Sequence, residues 1–197
     1  AYLWPDADEE RGRRALAQAL YALRRDLRSD EAFIGVKDLR LNPDLVQADL
    51  WDFRDAMATG ALERAAELAR GRFLEGFHLP GAESFENWVE VTRSGLAHQF
   101  ADLLHQLAER SSARGEHRAA TAWLRKLAAQ DPLNARIACQ LMESLAAQGD
   151  TAGALQHSRV YETLIGQELD LPPDREVLVL AARLRNAAGA TEPAQLP

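Results

Sequence analysis

Leu107, Glu109, Gly115, Glu116, Ala120 and Arg125 return 34 residues later as Leu141, Glu143, Gly149, Asp150, Ala154 and Arg159. A repeat of that length holds two helices and a turn, and such units bury their apolar faces only by stacking on one another. Gly115 and Gly149 fall where each pair reverses, the position at which a helix end favours a left-handed residue. Ala120 and Ala154 are small where two helices must approach closely. Asp131-Pro132 divides one unit from the next, since proline lacks the N–H a helix interior needs. The second unit ends differently: Leu164 to Asp174, with Pro172-Pro173, reads as a longer link, and a last helix of about Arg175 to Ala187 caps the stack. Ala188 onward, rich in Ala and Pro, reads as a tail or linker. Two repeats bury little alone, so the helices on either side must complete the core.

The rest of the chain agrees with a mainly α protein. Ala and Leu dominate the 47% hydrophobic content, while β-branched residues are scarce. Asp49 to Ala58 predicts a helix stopped by Thr59-Gly60, and Ala61 to Arg70 a second one ended by Gly71. Arg72 to Gly81 is non-periodic but carries Phe73, Phe77 and Leu79, which suits a packed loop. Ser84 is the expected N-cap of a long helix through Trp88, Val91, Leu96, Phe100, Leu103, Leu104 and Leu107.

Residues 11 to 28 carry the functional signal. At 100° per residue, Leu16, Leu20, Leu23 and Leu27 fall within a stripe about 60° wide, a face suited to burial. Arg14, Gln18, Tyr21 and Arg25 take the opposite pole, flanked by Arg11, Arg24 and Arg28. Guanidinium, amide and phenol groups are the donors and acceptors that read base edges and phosphates. A solvated basic face on an ordinary amphipathic helix has the same pattern, so the helix alone leaves both readings open. Ala1 to Trp4 resemble the end of another helix, Pro5-Asp6 breaks it, and Asp6, Asp8, Glu9 and Glu10 place acid where the next helix begins. Beyond it, Phe33 to Val36 and Leu39 to Leu41 form a short hairpin around Lys37-Asp38, closed by Asn42-Pro43-Asp44. Helix, turn, basic helix and hairpin is the order of a winged helix. Lys37 and Arg40 are equally readable as phosphate contacts and as surface charge.

Charge confines any DNA contact to that region. The net −7 lies wholly in residues 41–197, whereas residues 1–40 hold eight basic and eight acidic side chains. A single Cys139 excludes an intramolecular disulfide, and no apolar run is long enough to span a membrane. Both fit a cytoplasmic protein. His98 and His105 share a helix face without an acid or thiol to complete a metal set, and no nucleophile, phosphate-loop or dinucleotide motif occurs. The expectation is a non-enzyme with no cofactor and no metal. The chain opens in mid-pattern without Met, which suggests a fragment.

Leu-Trp-Pro-Asp at 3–6 and Arg-Arg-Ala-Leu-Ala-Gln-Ala-Leu-Tyr-Ala-Leu-Arg-Arg-Asp-Leu at 13–27 resemble the end of the OmpR-like winged-helix domain in SARP-type bacterial transcriptional regulators. Leu-Arg-Leu-Asn-Pro-Asp-Leu-Val at 39–46 and Asp-Leu-Trp-Asp-Phe at 49–53 resemble the wing and the junction after it. Phe-Leu-Glu-Gly-Phe-His-Leu-Pro-Gly-Ala at 73–82, Phe-Glu-Asn-Trp at 85–88 and the repeats resemble the tetratricopeptide-like bacterial transcriptional activator domain. Tyr21-Ala22 and Lys37-Asp38-Leu39 depart from the Ser-Arg and Gly-Gly-Tyr often found there, while Arg24 and Arg25 match. The resemblance implies a partial winged helix over 1–47, recognition helix plus β-hairpin wing. A tetratricopeptide-like activator domain over 48–187 and a tail over 188–197 would follow. It implies a regulator that reads promoter DNA in the intact protein, with Arg14, Gln18, Tyr21 and Arg25 toward the bases and Arg24, Arg28 and Lys37 on phosphates. The helical part would meet RNA polymerase, a second subunit or a regulatory domain of the same polypeptide, and a homodimer is compatible with it. The alternative from another class is a protein–protein scaffold whose basic helix packs on a partner.

Overall fold

A computed structural model describes residues 3, 4, 6–35 and 38–191. In chain order these form α1 (Glu9–Leu27), a 3₁₀ turn (Asp30–Ala32), β1 (Phe33–Ile34), β2 (Arg40–Leu41), α2 (Asp49–Ala58) and α3 (Leu62–Leu68). The elements α4 (Glu83–Ala113), α5 (His117–Gln130), α6 (Ala135–Ala147), α7 (Thr151–Leu169) and α8 (Arg175–Thr191) follow. The chain divides into two compact units, Ala1–Gln99 and Phe100–Pro197, with the boundary inside α4.

The second unit is built on the 34-residue repeat. The C-terminal half of α4 pairs with α5 around Gly115 (φ 73°), and α6 pairs with α7 around Gly149 (φ 87°). Both turns close with the same bonds. The glycine amide donates to Ser112 or Ala146, and the next amide donates back to Ser111 or Leu145, each at 2.9 Å. That is the Schellman closure, which satisfies the carbonyls a helix end leaves over. Ala120 and Ala154 then pack with no exposed surface. One continuous core joins Leu104 and Ala108 of α4, Leu124 and Leu127 of α5, and Leu141, Met142 and Leu145 of α6 with Ala154, Tyr161 and Ile165 of α7. It ends on Val177, Leu180 and Ala181 of α8. Within it Thr121 and Ser144 share a hydrogen bond of 2.8 Å, and Gln148 donates to Thr121 at 3.0 Å. These bonds fix α5 against α6 without leaving a buried hydroxyl unsatisfied.

The first unit contains a third copy of the same turn. Gly60 (φ 74°) follows α2, its amide donates to Met57 at 3.2 Å, and the Ala61 amide donates to Ala56 at 2.9 Å. Ala65, five residues after the glycine like Ala120 and Ala154, is likewise fully buried. This pair escapes the period because its glycine lies 55 residues before Gly115, and of the six repeated positions only the glycine, the alanine and the arginine (Arg70) recur.

Other expectations need adjustment. α4 begins at Glu83, and the amides of Phe85 and Glu86 donate to Ala82, so Ser84 sits inside the first turn and is not the cap. α7 passes Leu164 and Gly166 and ends at Leu169, leaving a link of only 170–174. The buried Tyr161 hydroxyl donates to Asp174 and ties that link back onto α7. Burial foremost, and then this acidic partner, hold the phenol well above its ordinary range. α8 continues past residue 187 to Thr191.

The loop between α3 and α4 is tied down by its anchors but not buried: Phe73 and Leu79 are half-buried and Phe77 is 50% exposed. Arg93 donates from Nε to the Phe73 carbonyl and from Nη2 to that of Leu74, both at 2.7 Å. The Phe73 ring meets Trp88 edge-on with centroids 5.8 Å apart, and Phe77 meets Phe85 at 5.9 Å. Glu86 accepts the Leu79 amide at 2.6 Å and faces His78 at 2.9 Å. The amide first, and then His78, hold its carboxyl below the ordinary range.

Candidate nucleic-acid interface

Local chemistry sets both ends of α1. Asp8 caps the start by accepting the Arg11 amide at 2.8 Å, and Glu9 and Glu10 fill the first turn, where negative charge opposes the helix dipole. At the far end Arg28 takes the left-handed conformation (φ 52°). Its amide donates to Arg25 at 3.2 Å and the Ser29 amide to Arg24 at 3.1 Å. This is again the Schellman closure, here with an arginine where the repeats place glycine.

No residue of α1 is buried. Arg14, Gln18, Tyr21 and Arg25 are exposed together on one side, Tyr21 at 72%. The structure thus gathers these four as the spacing predicts. Arg28 is exposed at the helix end, while Arg24 is half-buried, with its Nε sequestered and without a hydrogen-bond partner. Lys37 lies outside the described residues. The leucine stripe is only partly covered. Leu16 is 43% exposed, Leu23 46% and Leu27 55%, with only Leu20 half-buried, so most of the face suited to burial is uncovered among the described residues. One helix beside a hairpin of two-residue strands supplies no second layer against which to bury it.

The hairpin follows directly. Phe33 pairs with Leu41 and Ile34 with Arg40, antiparallel. Gly35 (φ 96°) begins the reversal, and a Cβ there would stand 2.2 Å from the Asp38 carbonyl oxygen. Asn42 locks the base. Its amide donates to Ala32 at 3.0 Å, its side chain donates to the Glu31 carbonyl at 3.0 Å, and its Oδ1 accepts the Asp44 amide at 3.0 Å. Ala32 is buried beneath this clasp.

Four of the five guanidinium groups of α1 pair with acids of the helix or its N-cap. Arg13 meets Glu9 at 2.6 Å, Arg25 meets Asp26 at 2.9 Å, Arg11 meets Asp8 at 3.6 Å, and Arg14 pairs with Glu10. All these groups are more than half exposed, so each pair adds at most a few tenths of a kcal/mol to stability. Their larger effect is to orient long side chains. Besides the capping and dipole roles expected of an acid at a helix start, the spacing of four between Glu10 and Arg14 is itself a sequence signal for this pair.

Arg28 carries a test of the cap. A left-handed L-residue costs roughly 1–2 kcal/mol that glycine avoids. Arg28→Gly is therefore expected to raise stability by about 1 kcal/mol, read from the denaturant midpoint of the Ala1–Gln99 signal. An unchanged or lower midpoint would show that the arginine side chain itself stabilises the helix end.

Among the described residues, no three His, Cys, Asp or Glu side chains converge as a metal site would require, and no helix is long and apolar enough to cross a membrane. His98 is engaged by the Ser94 carbonyl at 2.7 Å and His105 by Gln140 at 3.1 Å. Cys139 is half-buried, and burial first, with Glu176 and Glu143 nearby, raises its thiol above the ordinary range.

Residues 45–185 match the family described as the bacterial transcriptional activator domain. The match begins beyond the hairpin and takes in α2 to α7 and most of α8, leaving α1 outside it. No curated protein matches the chain.

Proposed function

This chain belongs to the bacterial transcriptional activator domain family, and from that membership we propose that it is a cytoplasmic DNA-binding regulator of transcription, with α1 as its recognition helix. Residues 1–47 are then the end of a winged-helix domain with the hairpin as its wing, and 48–187 the tetratricopeptide-like module that meets RNA polymerase, a second subunit or a regulatory domain. The proposal includes no catalytic step.

The observation that carries the reading is the exposed row of Arg14, Gln18, Tyr21 and Arg25 on one side of α1, with the hairpin next in the chain. Arg14 and Gln18 bring the forked donors and the amide that pair with guanine and adenine edges in the major groove. Arg24 and Arg28 lie along the flanks for phosphates, Lys37 takes the same role by its sequence position in the wing, and the leucine stripe is the surface that the remainder of a winged-helix domain covers.

Salt provides the test. Binding through three or more phosphates should weaken with a log–log slope of about −3 in a fluorescence-anisotropy titration of promoter duplex. Arg28→Gly should flatten that slope by about one, and Arg14→Ala should cost about 1–3 kcal/mol while relaxing base preference. Arg25→Ala binding as tightly as the wild type would sink the assignment.

The exposed Leu16, Leu23 and Leu27 favour a second reading, in which α1 lies in a groove of a protein partner. That contact would be nearly insensitive to salt and indifferent to Arg14.

A further inference from the structure

We propose that Glu10 is a base-specificity residue: with Arg14 it forms a carboxylate–guanidinium unit that selects a cytosine next to a guanine in the major groove. The inference rests on α1 being the recognition helix and assigns that helix a selective element that the basic pattern alone does not contain.

Position is the first argument. At 100° per residue, Glu10, Arg14, Gln18, Tyr21 and Arg25 lie within an arc of about 80°, so Glu10 continues the exposed row by one more turn. Recognition helices present their N-terminal residues to base edges, and Glu10 lies in the first turn.

The three acids at this end also divide their work. Asp8 is engaged by the Arg11 amide as the cap. Glu9 pairs with Arg13 at 2.6 Å, but it stands about 100° round the helix from Glu10, toward the leucine stripe. Glu10 alone of the three combines the DNA-facing arc with a hold on one of its arginines, Arg14.

Chemistry then chooses the ligand. A carboxylate facing phosphates weakens binding to every sequence, so affinity cannot be what it contributes. Its acceptor oxygens instead suit the cytosine N4 amino group, while the Arg14 fork suits guanine O6 and N7. Residues four apart on a helix are separated by about 6 Å along its axis, one to two base-pair steps of about 3.4 Å. Adjacent base pairs are therefore within reach of the pair, and Glu10 fixes the direction of the arginine before binding.

The test is selection from duplexes with a randomised core of about twelve base pairs, comparing wild type, Glu10→Gln and Glu9→Gln. Each variant removes one first-turn charge and one ion pair at the same spacing, and only the first lies on the arc. Glutamine preserves the side-chain shape, and circular dichroism checks the helix. Glu10→Gln should lose about tenfold or more of discrimination for cytosine at one position and gain adenine there, because the amide pairs with adenine N6 and N7. Glu9→Gln should tighten binding to all duplexes without changing the selected sequence. Identical selected sequences for the two variants would overturn the role of Glu10 while leaving α1 as the recognition helix. A wild-type protein that enriches no sequence would overturn the recognition helix itself, and this proposal with it.

Discussion

Met142→Ala should lower the stability of the Phe100–Pro197 unit by about 2–5 kcal/mol, the range for truncating a large apolar side chain where neighbours cannot close in. Met142 has no exposed surface and belongs to α6, the helix packed against α5, α7 and α8. Truncation there would hollow the centre of the core cluster and not its rim. Urea unfolding followed by helical circular dichroism should show the midpoint fall by about 1 M or more, given slopes of about 1–3 kcal/mol per M. A loss below about 1 kcal/mol would mean that α6 can settle inward, which its three-sided packing argues against. The corresponding buried residues of the other two helix pairs, seven before their glycines, are Ala108 and Phe53. The position is constrained to be buried, and its size is set by the local neighbours.

Gly35→Ala should unfasten the hairpin. Its left-handed φ of 96° costs an L-residue about 1–2 kcal/mol by itself, and the new Cβ would stand 2.2 Å from the Asp38 carbonyl oxygen. Backbone cannot rotate away as a side chain can, so the turn must open or the Phe33–Leu41 pairing must slip. Gly60→Ala is the matched control. Its φ of 74° carries a similar penalty, but nothing lies within 4 Å of the added atom. Amide exchange at Ile34 and Arg40 should accelerate at least tenfold in the Gly35 variant and stay unchanged in the Gly60 variant. In the proposed function the Gly35 variant should also lose DNA affinity, since the wing goes with the turn. Equal exchange in both proteins would show that φ alone matters and that the contact with Asp38 relaxes without cost.

The sequence carried much of this architecture because several signals are local. Thr59-Gly60 ends α2 where the period stops, Gly115 and Gly149 mark the turns of the repeated pairs, and Asn42-Pro43 closes the hairpin. What escaped depends on neighbours that local patterns do not name. Periodicity marks Leu16, Leu20, Leu23 and Leu27 as one apolar face but says nothing about what covers it. Gly166 and the double proline suggest an early stop, yet Tyr161 and Ile165 are buried in the core and carry α7 on to Leu169. The α2–α3 pair shares a turn geometry with the repeats but not their spacing, so only the backbone bonds reveal it. At the candidate interface, the side on which Arg14, Gln18, Tyr21 and Arg25 lie was legible, and the spacing of four marks the pairs on Arg13 and Arg14, whereas the hold of Asp26 on its neighbour Arg25 has no such spacing signal.

The shared turn has a kinetic consequence. In the Phe100–Pro197 unit α5, α6 and α7 each pack on the next helix in the chain, and the α4–α6 and α6–α8 contacts each skip one. Such low contact order places folding in the microsecond-to-millisecond range, each reversal forming with little loop-closure cost. Force applied at the C-terminal end would meet the interactions in series. α8 would peel first, as Ala181, Leu180 and Val177 leave the core, and the Tyr161–Asp174 bond would break next. The pair at Gly149 would follow, giving a stepwise extension in place of one cooperative rupture.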